Sequence, residues 1–479
     1  MLLTYMTECH YYFANIKQPS SSGVSHRYNW WSWPLYHSWT IHGGRPRIGN
    51  TLNATLDKYN LSEDFKHNEV IKFPARKTAN PDGKKLILFS APPFNEKKRI
   101  SVDENLCGRC EFSYDTKLWS DADAVIHHVY PYQYPLKKRS FPAQLYVWMC
   151  HESPSTTAYT RLSRKTFREY DNMFNLTMTY RRDSGIYFPY FTALDVREEI
   201  RKNADLEDLD VLFASKDHLA AWAFGNCLYT KGSNTRTRIM LQLLELGLDV
   251  DVFGSCVFRS LPGHWWEIPQ HLKRYKFYFS LENALHCRDY VTEKSWWNGL
   301  RAGTVPVIWG PMRTDVEAIL PEGSFIFVED FSTPQHLVSY LNYLDQHEEE
   351  YREYFNWRKE PISQKIPGRL GGGQKWTNVD VVGYCQLCHM LHDDDEHEKK
   401  YGTRPKRVVS SLYNWWYIDE TKTCLTPRYF SEYFCGVFYY ILFLQELYFK
   451  ALTMSNIYVR LSVIAVVIIA FFRTKWFKK

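Results

Sequence analysis

The chain has 479 residues, 45% hydrophobic and 23% charged, which is room for two ordinary α/β domains plus terminal extensions. Its formal net charge is +6 with no basic stripe along any segment, so a nucleic-acid partner has no support. Aromatic residues reach a high 17%; aromatic faces suit the C–H faces of a sugar, but most of these residues are read as filling core volume.

Residues 1–83 are irregular and polar, rich in Trp, His and Ser, and end on Pro81-Asp82-Gly83; they read as a leader and stem-like region. Three N-x-[ST] sequons, at Asn53, Asn60 and Asn175, are N-glycosylation candidates and point to a secretory lumen. There are 11 cysteines, two pairs of which stand in C-x-x-C spacing: Cys107 with Cys110 and Cys385 with Cys388. Spacing alone would allow zinc across both pairs, but a lumenal setting makes these four disulfide candidates. Each pair can close locally or cross-link the two ends of the chain, and the odd total leaves at least one thiol free.

Lys84–Ser90 is the first buried strand and opens a domain. Ala124–His128 is a second; His127 and His128 at its end are read as structural rather than as acceptor contacts. Gln144–Met149 is a third and runs into Cys150-His151-Glu152-Ser153-Pro154, where Glu152 leaves a strand end toward an interdomain cleft. Arg181, Arg182 and Asp183 follow, read as an ion-pair lattice. The charged stretch from Asp195 to Asp210 reads as a hinge. Beyond it a strand ends near Asn226, and a helix is expected over Arg238–Leu246 with Arg238 at its start; Arg236 is the rival position because the preceding loop is long.

The block from Tyr275 to Gly310 organises the rest. Lys276–Leu281 is a buried strand, Glu282 and Asn283 begin a polar loop, and Asp289 is expected to cap a helix from Tyr290 to Ala302. Val305–Trp309 is the next strand, so the unit is βαβ and the sheet parallel. Glu293 and Lys294 fall in the first helical turn at the carboxyl edge of that sheet, where a phosphate is favoured.

FYFSLEN, DYVTEK, WWNGL and GTVPVIWG, in this order, resemble the signature of the α1,3-fucosyltransferases of glycosyltransferase family 10. ADAVIHH, the E-S-P of Glu152, FNLTMTYRRDS, AAW and VDVFG extend the resemblance over about residues 84–392. It implies a GT-B fold, two Rossmann-like domains facing a central cleft: an acceptor half at 84–194 and a donor half at 205–392. It implies Glu152 as general base and Asn226, Arg238, Glu282, Asn283, Tyr290, Glu293 and Lys294 around the donor, GDP-fucose. The implied acceptor is a GlcNAc-containing glycan of glycoprotein or glycolipid. No required metal is expected, Mn²⁺ being at most stimulatory, and the catalytic domains are expected on the lumenal side of a Golgi membrane. Gly185 and Gly225 depart from the family's Asp and Ser. The alternatives are a catalytically silent carbohydrate-binding protein on the same fold, or a fucosyltransferase for N-glycan core or peptide acceptors.

Residues 393–479 read as a C-terminal extension. Asp393-Asp394-Asp395 is taken as a solvated face rather than a metal motif, the glycines after Arg369 as a flexible loop, and Phe434–Leu444 as a packed or interfacial helix. No stretch before Pro46 is long and apolar enough to span a bilayer; residues 457–472, followed by basic side chains, are the membrane-segment candidate.

Overall fold

Two all-parallel sheets, one in each half of the chain, carry the computed structural model. It describes residues 70–71, 83–93, 97–129, 138–159, 167–191, 196, 200–227, 230–264, 267–359, 383–418, 424 and 443–444. A short strand β1 (Val70–Ile71) pairs antiparallel with Arg404–Pro405 near the other end. The first sheet holds β2 (Lys85–Phe89), β3 (Cys110–Ser113), β4 (Ala124–His128), β5 (Leu145–Cys150), β6 (Leu176–Thr179) and β7 (Ile186–Tyr187). Their order is β3-β2-β4-β5-β6-β7, parallel at every pairing. The second holds β8 (His218–Ala223), β9 (Val250–Phe253), β10 (Tyr275–Leu281), β11 (Val305–Trp309) and β12 (Ile326–Phe327) in the order β12-β11-β10-β8-β9. These pairings too are parallel throughout.

The strands look this way in sequence because a parallel sheet is covered on both faces: β4, β5 and β11 are buried at every position. In each sheet the first strand lies between the second and the third, so the winding reverses between β2 and β4 and again between β8 and β10. Ligands of doubly wound sheets bind outside the carboxyl ends at such switch points. This is the expected GT-B arrangement.

The donor half does not keep the chain to residue 392. Helix Tyr384–Tyr401 crosses back onto the first sheet, where Leu387, Cys388 and Leu391 pack with Ile87, Phe89, Val147 and Met178. Cys385 and Cys388 are one turn apart on that helix and bond to Cys107 and Cys110. The C-x-x-C pairs therefore cross-link distant segments, and their sulfurs are spent on disulfides rather than on a zinc site. Of the acidic run only Asp393 keeps a solvated face, with 44% of its side chain open: Asp394, 2% exposed, pairs with Arg407, and Asp395 takes both Lys85 and Arg404. Trp416 follows and packs on Trp148 of β5, its indole N–H donating to Thr157 at 2.9 Å. The extension thus begins after residue 418, since 404–418 completes the first domain. Among the described residues two further disulfides, which no spacing motif marks, join Cys227 to Cys256 and Cys287 to Cys424. Cys150 is a buried free thiol.

Asn53, Asn60, the glycines after Arg369 and residues 457–472 lie outside the described residues. Among the described residues no helix is long and apolar enough to cross a membrane. Asn175 does not stand on a surface loop as a sequon suggests. Its amide accepts from Arg139 at 2.9 Å and from the Tyr146 N–H at 2.7 Å, and donates to the Arg407 carbonyl at 2.8 Å. From the 434–444 stretch, Phe443 and Leu444 are buried, with Phe443 against Trp222 and Phe224, in keeping with a packed segment.

The two halves meet through the expected lattice. Arg182 of the first half bonds Asp289 of the second through its backbone N–H at 2.8 Å and its Nε at 2.6 Å. Its other nitrogen reaches Asp315 at 3.0 Å, and Asp315 also accepts the Asp289 N–H at 2.9 Å. Beside it, Asp183 takes Arg181 at 2.6 Å and Arg288 at 3.0 Å. Burial and the Asp289 charge push the Asp315 carboxyl up to about 7, against the pull of Arg182. Arg182→Met would strand two buried carboxylates. Urea unfolding of that variant is expected to show a loss of about 3–5 kcal/mol, the usual cost of breaking a buried pair; a loss under 1 kcal/mol would deny the clasp its structural role.

Candidate functional site

On the second sheet the switch point is bridged by one side chain. Arg236, 1% exposed, donates to the Leu281 carbonyl at the end of β10 at 2.8 Å and to the Asn226 carbonyl beyond β8 at 2.7 Å. Among the described residues its buried Nε has no hydrogen-bond partner. Burial draws its pKa down to about 10, with Glu282 opposing. The helix carrying it begins seven residues before the sequence expectation, at Lys231, because Thr230 and Ser233 form a capping box. Arg238 is therefore in the third turn and not at the helix start. It lies about 200° around the helix from Arg236 and is half-buried, so the rival position is the one at the sheet edge. Gly232 lets the first turn touch the Glu282 loop: a Cβ there would sit 2.5 Å from the Asn283 carbonyl.

The expected helix over Tyr290–Ala302 also starts late. Asp289 adopts φ 57° and is taken by Arg182, so it caps nothing. Thr292 is the N-cap, the helix is Glu293–Ser295, and a π-helical turn, Trp296–Leu300, continues it. Tyr290 precedes the helix and is buried against Tyr180 and Tyr190 at 5.0 and 6.2 Å between ring centres.

Lys294 is the centre of this edge, and it is not an exposed first-turn lysine. Its side chain is 12% exposed and pairs with Glu282 and Glu293, each at 2.9 Å, and with the Thr292 hydroxyl at 2.8 Å. Burial works against the ammonium, yet the two carboxylates more than offset it and hold the pKa above the ordinary lysine value. Glu282 is wholly buried, and its Oε1 accepts the Thr292 N–H at 3.0 Å and hydroxyl at 2.6 Å. That leaves it no face for a ligand, so it acts on Lys294 rather than on a donor. Glu293 is the opposite, with 44% of its side chain open and a carboxyl that Lys294 holds below the ordinary range despite partial burial.

Glu152 lies just beyond the carboxyl end of β5 in the first sheet. Ser153 caps the next helix, accepting the Thr156 N–H at 3.2 Å, and Pro154 takes its first position, which fixes Glu152 just outside the helix at the strand end. Burial raises the Glu152 pKa above the ordinary carboxylate range; Lys294 pulls it down, while Glu293 and Glu282 push it up. His151, which the sequence did not single out, anchors this loop. Its ring nitrogen bonds the Phe188 carbonyl at 2.9 Å, its ring packs on Phe188 and Tyr190, and its own carbonyl accepts the Tyr190 hydroxyl. His127 is a core ring among Trp119, Tyr146 and Phe174, its pKa drawn down to about 3 by burial.

At Gly185 a Cβ would meet Leu176 at 3.0 Å, so a side chain there has to shift its neighbour. Gly225 is exposed, and a Cβ would meet only the Ser255 hydroxyl, at 3.3 Å, which leaves room for a serine.

Comparison with known proteins matches both halves of the chain. Residues 82–191 match the model described as "Fucosyltransferase, N-terminal", and 213–415 that of "Glycosyltransferase family 10 (fucosyltransferase) C-term". A 4-galactosyl-N-acetylglucosaminide 3-alpha-L-fucosyltransferase FUT6 of Pan troglodytes is 35% identical over 333 residues, 67% of this chain and 81% of that one. A 3-galactosyl-N-acetylglucosaminide 4-alpha-L-fucosyltransferase FUT3 of the same species is 37% identical over 65% of this chain and 77% of its own length. Among solved structures, an alpha1,3-fucosyltransferase with GDP-fucose aligns over 68% of this chain and 95% of its own, at 16% identity and a TM-score of 0.41.

Removing Lys294 leaves Glu282 charged in a fully buried place. Lys294→Ala is therefore expected to cost about 3–5 kcal/mol of stability in chemical denaturation. The double variant with Glu282→Gln should recover at least half of that, because the stranded charge is gone. A Lys294→Ala protein as stable as the parent would disprove the pairing.

Proposed function

The chain belongs to glycosyltransferase family 10, the fucosyltransferases, and on that premise we propose an inverting transfer of L-fucose from GDP-β-L-fucose to the 3-hydroxyl of an N-acetylglucosamine residue in glycoprotein or glycolipid glycans. The observation that carries this reading is the pair of cations at the switch point of the donor-side sheet, where Arg236 bridges Leu281 and Asn226 and Lys294 is anchored by Glu282, with Glu152 just beyond the end of β5 in the acceptor-side sheet. The acceptor oxygen attacks the anomeric carbon as its bond to phosphate breaks; the bonding pair leaves with GDP and the hydroxyl proton goes to Glu152. Attack on the face opposite GDP turns the β-linked donor into an α product. A raised carboxyl pKa suits a base that must take a proton near neutrality.

Leaving-group charge falls to Arg236 and Lys294, two cations fixed before the donor arrives. Asn226 and Asn283 border the same switch point, and Glu293 has the exposure to take ribose or sugar hydroxyls. With two cations already facing the diphosphate, we assign no required metal. Disulfides persist in oxidising compartments, which supports a lumenal location, and we place the catalytic domains on the lumenal side of a Golgi membrane.

Glu152→Gln preserves shape but not basicity. Its kcat is expected to fall on the order of 10²–10⁴-fold with KM for GDP-fucose little changed, in assays with an N-acetyllactosamine acceptor. A well-folded variant that still transfers fucose within tenfold of the parent would remove Glu152 from the mechanism. Transfer in excess EDTA is expected to persist; abolition, with rescue by Mn²⁺, would overturn the two-cation account. Running the same assay over N-acetyllactosamine, its sialylated form and N-glycan core acceptors assigns the acceptor.

A further inference from the structure

The loop between β10 and Thr292 starts at Glu282 and leads into Glu293 and Lys294, and its middle is held by four separate restraints. His286 Nε2 lies 3.2 Å from Glu329, and Cys287 is bonded to Cys424. Arg288 reaches Asp183 at 3.0 Å, and Asp289 takes Arg182 at 2.6 Å. Two of these four consecutive residues, His286 at φ 50° and Asp289 at φ 57°, stand in the left-handed region, which a residue other than glycine holds only when its surroundings impose it. Among the described residues only Asn172 and Phe258 do the same. The underside of the loop is apolar: Ala284, Cys287 and Tyr290 are buried in one cluster with Trp148, Tyr180 and Trp416 of the first domain. Cys424 belongs to that cluster too, and it follows Trp416 and Tyr417, which both donate to Thr157 of that domain, at 2.9 and 3.1 Å. The disulfide is thus a covalent strap from the C-terminal segment to this loop.

Resting on the reading of this loop as the edge that receives the donor, we propose that Cys287 and Cys424 are positioning residues for GDP-fucose, their bond holding the loop in its binding conformation before the nucleotide arrives. Both sulfurs are buried, so the pair acts through the loop and not on the nucleotide. The other three restraints are ion pairs, and two of them are shared: Arg182 also serves Asp315, and Asp183 also takes Arg181. An ion pair opens and closes with the loop, whereas a disulfide does not. With the bond cut, His286 and Asp289 are free to leave the left-handed region, and the loop spends part of its time in conformations that do not present Lys294. Donor affinity then falls in proportion to the fraction of molecules whose loop is still competent. The consequence reaches beyond the residues matched to the family, which end at 415: the segment carrying Cys424 becomes part of the donor site.

The test uses the full-length protein. GDP titration by calorimetry, at a temperature where both proteins are fully folded, compares the parent with Cys287→Ala/Cys424→Ala. The variant is expected to bind GDP roughly 5- to 50-fold more weakly, with KM for the acceptor unchanged and faster amide exchange over residues 282–294. A bond with a merely structural role would lower the melting temperature and leave GDP affinity at the parental value, and that result would overturn the proposal. The unmodified protein supplies a second measurement that no folding defect can spoil. By linkage, whatever the bond does for GDP, GDP does for the bond. In mixtures of reduced and oxidised dithiothreitol the protein disulfide takes up two electrons and two protons as the reagent closes to its cyclic disulfide. The ratio of reduced to oxidised Cys287–Cys424, read by alkylation and peptide mass spectrometry, is expected to fall by the same factor of roughly 5 to 50 at saturating GDP. Cys107–Cys385, in the cluster on the opposite face of the first sheet, should not move. A Cys287–Cys424 ratio that GDP leaves unchanged would overturn the proposal. Failure of the underlying reading looks different: the Lys294→Met/Glu282→Gln protein would then bind GDP as tightly as the parent, whereas failure of the proposal alone leaves that protein weakened and the cysteine variant unchanged.

Discussion

The guanidinium of Arg182 is held between two carboxylates that belong to the other half of the chain, Asp289 and Asp315. Neither carboxylate has meaningful contact with water, so their charges are satisfied only while the two sheets face one another. That constraint fixes the distance between a strand end on one sheet and a strand end on the other. It also explains the backbone at Asp289, whose left-handed conformation ends the loop from β10 and delays the helix to Thr292. Lys294 reaches Glu282 because the helix begins where it does.

Around that clasp the first domain is closed by chain that comes from far away in sequence. The helix Tyr384–Tyr401, two disulfides and the Trp416 segment all return to the sheet that carries Glu152. The loop bearing the strand-end carboxylate proposed as base is held on one side by Ser153 and Pro154 and on the other by His151, Phe188 and Tyr190, which keeps that carboxylate in one place. Closing loops of 278 residues also restricts the unfolded chain, which by the entropic account stabilises the fold by a few kcal/mol per bond.

The electrostatics of the cleft follow from the same economy of charge. Arg236 is bound by carbonyls rather than carboxylates, so its charge is not neutralised at contact and remains available at the sheet edge. Lys294 is the reverse case, compensated by two carboxylates of unequal freedom. One cation is thus set to attract an anion, while the other must exchange a partner to do so.

Local chemistry is what the sequence determined. The buried runs that became β2, β4, β5, β10 and β11 are continuous and apolar because both faces of a parallel sheet are covered, and that signal needs no tertiary information. The order of strand, polar loop and helix around Glu282 to Lys294, and the placing of Glu152 at a strand end before Ser153-Pro154, were legible for the same reason. Capping is legible only in part: Thr230 with Ser233 is a local motif that sets the start at Lys231, whereas the apolar run by itself points to a start near Arg238. What tertiary structure decided was every partnership across distance. Which arginine reaches the sheet edge depends on where the helix docks, and Lys294 is buried only because Glu282 lies beside it. Asp394 and Asp395 meet cations from residues 85, 404 and 407 rather than solvent, and the cysteines pair across 278 positions, since charge runs and Cys spacings carry no record of which segment will fold against them.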